Sequence, residues 1–346
     1  MALASAAVPS AARGEGGPAP EKLVEIAGRL RDGFAVPRYT ALAQAAAAER
    51  TAWDAYCAGP RRPAGVDGLK AAFGSVADAW AAVEVLRFGP VAEGQRYERI
   101  NHWPERRNAV TRGLAGLLAG SGEDGLAPET FAQASAAVQG LAALERLLFD
   151  AEAAVQLAAQ TPAGVRRCAV GQAIAANLAA VAEAVRAGWA ERSDAAARAE
   201  TPDAAREVLT RAATDVLTLY RALQEQKIGL PLGKSPVEAK PQAAEFARSG
   251  RAARTIASNL ESLEALAALL IDPALDYRAA TLATAASARS IAETMPGDIG
   301  PLAAGAKTRS RVVLLKSAVE SARQQAEEAL PAALGITLGF NSLDGD

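Results

Sequence analysis

The segment from Arg87 to Pro104 holds the side chains best suited to chemistry. Arginine, glycine, proline and tryptophan crowd into a loop that interrupts an alanine- and leucine-rich sequence. Loops with such residues more often serve function than packing. The segment also holds His102, the only histidine of the chain, which excludes a zinc site with two or three histidines. His102 could be a general base, a single metal ligand or a hydrogen-bonding loop residue. We expect the last, because the chain has no second histidine.

A polar cluster is expected where this loop begins. An apolar stripe at helical spacing (Leu69, Phe73, Val76, Trp80, Val83) continues to Arg87, and Glu84 lies beside it. Arg96, Glu98 and Arg99 follow within the loop. Charged groups at the end of a helical bundle are typical of a pocket lining, whereas the alternative is a set of surface charges on a solvated loop.

Glu145 is the carboxylate that we expect to be buried. It lies on a stripe of a predicted helix over residues 128–149, with Phe131, Ala134, Val138, Leu141 and Leu148. A carboxylate in a core position costs several kcal/mol unless it is paired or bound to a cation. We therefore predict an arginine partner, first among Arg87, Arg96 and Arg99. The alternatives are a ligand or metal carboxylate, or a stripe assigned one position out of phase.

The composition predicts an all-α fold made of two antiparallel helical-bundle halves. Half of the residues are hydrophobic, but only 5% are aromatic and alanine supplies much of the apolar content, which favours closely packed helices over sheets. Helical periodicity recurs along the chain and predicts helices that include 66–88 and 242–270. Proline and glycine, Pro37 among them, fall between the stripes. The formal net charge of −2 gives no electrostatic basis for nucleic-acid binding, and we expect no such partner.

Three segments follow from this pattern. Residues 1–20 are rich in small residues and are expected to be disordered or the remnant of a signal peptide. We place an N-terminal bundle at 21–161 and a C-terminal bundle at 162–346, divided at Thr161-Pro162. No apolar run is expected to reach the roughly 20 residues of a membrane span. Cys57 and Cys168 could pair or lie free in the core.

The C-terminal segment carries both apolar and polar side chains. Phe340 and Leu343 predict that residues 339–346 dock onto the helices, while Asn341 and Asp344 offer oxygen atoms to the arginine-rich cluster. The alternative is that this docked segment only stabilises the helical bundle and takes no part in a binding site.

Four stretches together resemble the imelysin family, also classed as peptidase family M75. They are 79–84 with Arg87-Phe88-Gly89-Pro90, 98–100 with Trp103-Pro104, 137–145, and 338–346. The resemblance runs from about residue 23 to the end of the chain. The hallmark motif of this family is GxHxxE. Gly140 and Glu145 match it, and Ala142 stands at the position of the histidine.

The resemblance implies an exported bacterial protein, usually periplasmic and in some members lipid-anchored, that is associated with iron uptake. A few members are described as insulin-cleaving metallopeptidases. Because Ala142 cannot ligate a metal, we predict a subgroup without peptidase activity. Glu145 and Glu84 are the metal ligands that remain, and the implied cofactor is iron or another divalent or trivalent metal.

We therefore expect a non-enzymatic binding or accessory protein with a site between the two halves. Its predicted ligand is a small anion or a chelated metal, since arginines outnumber carboxylates there. A membrane-associated iron-uptake protein is the expected partner. The predicted site residues are Glu84, Arg87, Arg96, Arg99, Trp103, Glu145, Arg248, Ser249, Asn259, Asn341 and Asp344. The alternatives are a metallopeptidase with a degenerate metal site and a structural or adaptor protein.

Overall fold

The computed structural model describes residues 17–121 and 124–337 of the chain. Within these two ranges the regular structure is helical and no β-strand occurs, which confirms the all-α prediction. The α-helices are α1 Pro20–Arg29, α2 Val36–Ala58, α3 Val66–Ala81, α4 Arg96–Ile100, α5 Ala109–Ala119, α6 Pro128–Phe131, α7 Leu141–Phe149, α8 Ala153–Ala158, α9 Pro162–Ala190, α10 Ala195–Arg198, α11 Pro202–Ala222, α12 Gly229–Leu232, α13 Ala252–Leu270, α14 Arg278–Glu293, α15 Gly300–Ala304 and α16 Arg309–Leu334.

Two of the long helices begin at the same local signal, a threonine followed by a proline. Thr161 accepts a hydrogen bond from the Gly164 N–H at the start of α9, and Thr201 does the same for Ala204 at the start of α11. The threonine hydroxyl satisfies a backbone donor that has no partner within the helix. The proline that follows adopts helical φ and has no N–H to satisfy.

Two π-helical turns extend the long helices. One, Leu30–Ala35, joins α1 to α2, so the chain remains helical through Pro37, where we had expected a break. The wider turn accommodates a proline whose missing N–H would otherwise interrupt the helix. The other, Leu223–Lys227, extends α11 and ends at a buried lysine.

A disulfide bond joins Cys57 of α2 to Cys168 of α9, which resolves the two alternatives for the cysteines. The two helices pack along each other, and α3 also packs against α2. By length and composition alone, α9 could also cross a bilayer, contrary to our expectation that no segment approaches that length. Half of its apolar window is buried inside the protein, as in the core helix of a water-soluble fold.

The remaining long helices form a second packed group. Helix α13 packs along α14, α14 along α16, and α11 contacts both α1 and α16. The buried apolar side chains of the described residues form one cluster that runs from α1 to α16. Helices on both sides of the expected 161/162 divide therefore share a core, and the division into two bundles stays a prediction.

Several predicted helices have different bounds from those expected. The helix expected over 66–88 ends at Ala81, and that expected over 242–270 begins at Ala252. The helix expected over 128–149 is broken into α6, a 3-10 turn and α7. Glycine is required at position 140, just before α7, because a Cβ atom there would lie 2.3 Å from the Arg99 carbonyl oxygen and 2.2 Å from that of Ile100. The chain must pass close to another backbone at this point.

Candidate functional site

A cleft of about 650 Å³ opens beyond the C-terminal end of α3. Its walls come from the end of α3, the loop between α4 and α5, the π turn after α11, and α16. Aromatic rings form part of the lining, and basic side chains stand around them. The aromatic residues are Trp80, Tyr97 and Trp103, and the arginines are Arg87, Arg106, Arg221 and Arg323.

Side chains from α13 hold the end of α3 in place. Asn259 donates a hydrogen bond of 2.7 Å from Nδ2 to the Ala81 carbonyl, and the Ser262 hydroxyl donates one of 2.7 Å to the Ala82 carbonyl. The last carbonyls of a helix lack partners within the helix, so these contacts satisfy groups that would otherwise be buried unpaired. They also fix the direction of the turn that carries Glu84.

Lys227 lies at the base of the cleft with only 3% of its surface exposed. Its ammonium donates hydrogen bonds to Glu84 Oε1, to Glu245 Oε2 at 2.6 Å and to Asn259 Oδ1 at 2.8 Å. Each of these three partners is also buried. An isolated charge in such surroundings would be very unfavourable, whereas a lysine with three oxygen partners is compensated.

Two acceptor atoms beside this lysine have no hydrogen-bonding partner among the described residues. Asn101 donates from Nδ2 to Glu245 Oε1 at 2.7 Å, but its own Oδ1 is left over. Glu84 uses Oε1 for Lys227, and its Oε2 is left over. Buried acceptors are normally satisfied, so an ordered water or a ligand with a donor group is expected beside them.

The pKa values of the groups at the bottom of the cleft depend on burial and on the charge of the Lys227 ammonium. Burial raises the pKa of Glu84, and the neighbouring ammonium opposes that rise. Burial alone would lower the pKa of Lys227, but the carboxylates of Glu245 and Glu84 outweigh it, and the net effect raises the pKa. Lys227 therefore stays positively charged at neutral pH.

Arg87 is held at the mouth of the cleft by two contacts. Its guanidinium lies 4.3 Å from the centre of the Tyr97 ring, and its backbone N–H donates to Asp215 Oδ2 at 2.6 Å. Tyr97 in turn packs edge-on against Trp80 with ring centres 4.9 Å apart. Burial raises the pKa of Asp215 to about 7. The stacked guanidinium keeps its in-plane donors available for an anion.

The structure brings together only part of the predicted site. Glu84, Arg87 and Trp103 line the cleft, and Asn259 reaches its base. Arg96 and Arg99 instead line a separate groove along α9, so the expected convergence is wrong for these two. Their positions follow from their partners, which are Pro90 O and Glu93 for Arg96, and Gln139 and Asn177 for Arg99.

Glu145 is buried as expected, with 6% of its surface exposed, but its predicted arginine partner is wrong. Within the described residues its carboxylate accepts from the backbone N–H and the hydroxyl of Ser249, and Arg248 pairs instead with Asp150 at 2.6 Å. Burial raises the pKa of Glu145, and the two bonds from Ser249 oppose the rise. Neutral donors on the loop before α13 thus compensate this carboxylate.

Of the other predicted residues that the structure describes, Glu145, Arg248 and Ser249 do not line the cleft. Asn341, Asp344 and the rest of the expected tail lie outside the described residues. His102 is partly buried next to Trp103 but does not line the cleft. Over residues 17–121 and 124–337, no group of three or more His, Cys, Asp or Glu side chains is arranged to hold a metal ion.

Sequence reasoning missed Lys227, Glu245 and Asn101. A signal for Lys227 was present, because it lies four residues after Leu223 and so continues the apolar stripe of α11. A charge on such a stripe is the same signal that singled out Glu145. Glu245 and Asn101 lie in irregular segments, where no periodicity marks a residue as buried.

Comparisons with known proteins agree with this fold. Residues 35–330 match the family model of imelysin, peptidase M75. The chain is similar to the crystal structure of an imelysin-like protein from Psychrobacter arcticum 273-4, with 21% identity, a TM-score of 0.75, and coverage of 93% of this chain and 98% of that one.

A second similar structure is that of a protein described as an iron-regulated protein A precursor from Parabacteroides distasonis ATCC 8503. It has 14% identity, a TM-score of 0.68, and coverage of 91% of this chain and 96% of that one. No curated protein matches the chain. Identities this low establish a likeness of fold, whereas the family match covers most of the sequence. The chain belongs to the imelysin family.

Proposed function

We propose that this protein is an exported, non-enzymatic binding protein for iron uptake, and that its cleft binds a small anionic ligand such as a carboxylate or a carboxylate-chelated iron. The arrangement of basic groups around the cleft carries the proposal. Arg87, Arg106, Arg221 and Arg323 surround a lining that includes three aromatic rings. Guanidinium groups bind carboxylates with two parallel hydrogen bonds, and an enclosed site strengthens these bonds relative to water.

The export of the protein is supported by its disulfide bond. Disulfides persist in oxidising compartments and are rare in the cytosol, so the Cys57–Cys168 bond indicates an extracytoplasmic protein. The word "precursor" in the name of the Parabacteroides relative supports the same location. We propose the periplasm as the compartment, with a membrane anchor as an alternative, and a membrane-associated iron-uptake protein as the partner.

The link to iron rests on the family and on the name of the same relative, which is described as iron-regulated. A bare metal ion fits the base of the cleft poorly. Glu84, one of the two expected metal ligands, is already bonded to the Lys227 ammonium, and Glu145 is bonded to Ser249. Iron would therefore arrive as a chelate whose anionic groups meet the arginines, rather than as a free ion.

Isothermal titration calorimetry with citrate and with ferric citrate tests the proposal. We expect saturable binding of at least one of them to the wild-type protein. Replacing Arg87 and Arg221 together by alanine should weaken binding by about 100-fold or more, since each lost charge-assisted hydrogen bond costs about 1.5–3 kcal/mol. Arg29→Ala is the matched control, because Arg29 is an arginine of α1 outside the cleft. The proposal would be overturned if the double variant bound as tightly as the wild type. It would also be overturned if the wild type bound neither citrate nor ferric citrate.

A further inference from the structure

The partners of Lys227 form an oxygen cage around a single cation. Two carboxylate oxygens and one amide oxygen point at its ammonium, from Glu84, Glu245 and Asn259. These residues lie 143, 18 and 32 positions from Lys227 in the sequence, so only the folded chain assembles them. Carboxylate and amide oxygens in such a set are the ligands that hard divalent cations take in proteins.

The cage requires a positive charge. Glu84 and Glu245 are each about 3% exposed, and their mutual repulsion adds to the cost of burying two carboxylates. The Lys227 ammonium is the cation that bonds to both of them, and all three groups are buried together. Arg87 adds a weaker attraction to Glu84 from the mouth of the cleft. Removal of the ammonium would leave two uncompensated acids in the interior.

We infer that the ammonium of Lys227 is a resident cation in a site otherwise suited to a divalent metal ion, and that it makes the base of the cleft independent of metal. The inference builds on the proposed function only in that the cage forms the base of the proposed ligand cleft. The chain itself supplies the charge that a metal ion would bring. An anionic ligand in the cleft then needs no free metal ion for its binding.

The cage also has a route to solvent. Lys227, Glu84, Glu245 and Asn101 all line the cleft, so a shorter side chain at position 227 would leave the oxygen atoms facing it. A hydrated divalent ion could then enter and replace the lost charge. A small alkylammonium ion could do the same, because it restores both the charge and the missing methylene groups.

The test compares Lys227→Ala with Lys227→Met, which fills the space but carries no charge. Melting temperature and calorimetry are measured with Mn²⁺, and separately with propylammonium chloride. We expect Lys227→Ala to gain about tenfold or more in Mn²⁺ affinity over the wild type, which corresponds to about 1.4 kcal/mol. Both additives should raise its melting temperature, while Lys227→Met should be destabilised and respond to neither. Adding Glu245→Gln to Lys227→Ala should remove most of the gain.

Lys307→Ala, an exposed lysine in the loop before α16, is the control and should behave as the wild type. The inference is overturned if the wild type binds Mn²⁺ at the cage as tightly as Lys227→Ala, or if Lys227→Ala gains no affinity. If Lys227→Ala does not fold, its refolding by Mn²⁺ or propylammonium supports the inference, and failure of both overturns it. Citrate titration of the wild type separates the two proposals. If the wild type does not bind citrate, the proposed function fails, but the role of Lys227 as a resident cation is unaffected.

Discussion

The carboxylate of Glu145 accepts two hydrogen bonds from Ser249, at 2.9 Å from the backbone N–H and at 2.8 Å from the hydroxyl. Ser249 lies 104 residues further along the chain, in the segment before α13. The contact therefore joins α7 to the part of the chain that also carries Glu245. The buried carboxylate of Glu145 thus accepts from two neutral donors of one residue.

Ser249→Ala should destabilise the protein by about 1–2 kcal/mol, because it removes one of two hydrogen bonds to a buried carboxylate. Chemical denaturation at neutral pH measures the change in the free energy of unfolding. The control is Ser321→Ala on α16, where the serine is exposed and bonds only within its own helix. Equal stabilities of the two variants would mean that the Ser249 hydroxyl does not compensate Glu145.

Glu49 should make stability depend on pH. Its carboxyl is fully buried beside the Trp53 indole N–H one turn away, and neither group makes a hydrogen bond of ordinary geometry among the described residues. Burial raises the pKa of Glu49 from 4.5 to about 8. The folded state therefore holds this proton more tightly than the unfolded state. The stability it contributes is fully present below pH 4.5 and is lost as the pH rises to 8, by up to about 1.4 kcal/mol per pH unit.

Denaturation of Glu49→Gln between pH 5 and 8 checks this expectation. The variant should lose the part of the slope that Glu49 contributes, about 1.4 kcal/mol per pH unit, and be more stable than the wild type at the upper end. Asp215 titrates in the same direction, with a pKa raised by burial to about 7, so part of the slope should remain. The exposed Glu328→Gln is the control. A slope unchanged in Glu49→Gln would contradict the assignment.

Loss of the disulfide bond should destabilise the protein by about 2–4 kcal/mol, because the bond closes a long loop in the unfolded chain. Cys57 and Cys168 are 111 residues apart in the sequence. The test is the free energy of unfolding of the double variant Cys57→Ala, Cys168→Ala, with the wild type in reductant for comparison. Thiol titration of the denatured wild-type protein should find these two cysteines paired, and two free thiols would refute the bond.

Gly140→Ala should be strongly unfavourable, since its Cβ would lie within 2.3 Å of two backbone carbonyl oxygens. Overpacking of this kind costs about 1–3 kcal/mol or more. Gly116→Ala is the matched control in α5, where an added Cβ meets nothing within 4 Å. That change should instead stabilise the helix by about 0.5–1 kcal/mol. Thermal melts of both variants should move in opposite directions, and a shift in the same direction would contradict the close approach.

We expect no zinc-dependent peptidase activity. Ala142, which we expect at the histidine position of GxHxxE, cannot ligate a metal, and Glu145 is bonded to Ser249 rather than free to act as a base. Incubation of purified protein with zinc and unfolded casein should leave the casein intact. Cleavage that a chelator inhibits and that Glu145→Gln abolishes would support the metallopeptidase alternative instead.

The sequence by itself determined the helical fold and the burial of Glu145, because helical periodicity is a local property that the spacing of apolar residues records. Its resemblance to the family rested on short motifs instead. The sequence could not place Arg96 and Arg99, which are near Arg87 in the sequence but face a different groove. The sequence also could not predict the Cys57–Cys168 bond. It gave no sign that Glu84, Glu245 and Asn259 surround Lys227. Successive residues of a helix point about 100° apart, so a π turn or an early helix end redirects every side chain that follows. Only the packing of the helices in the folded chain decides which of them meet.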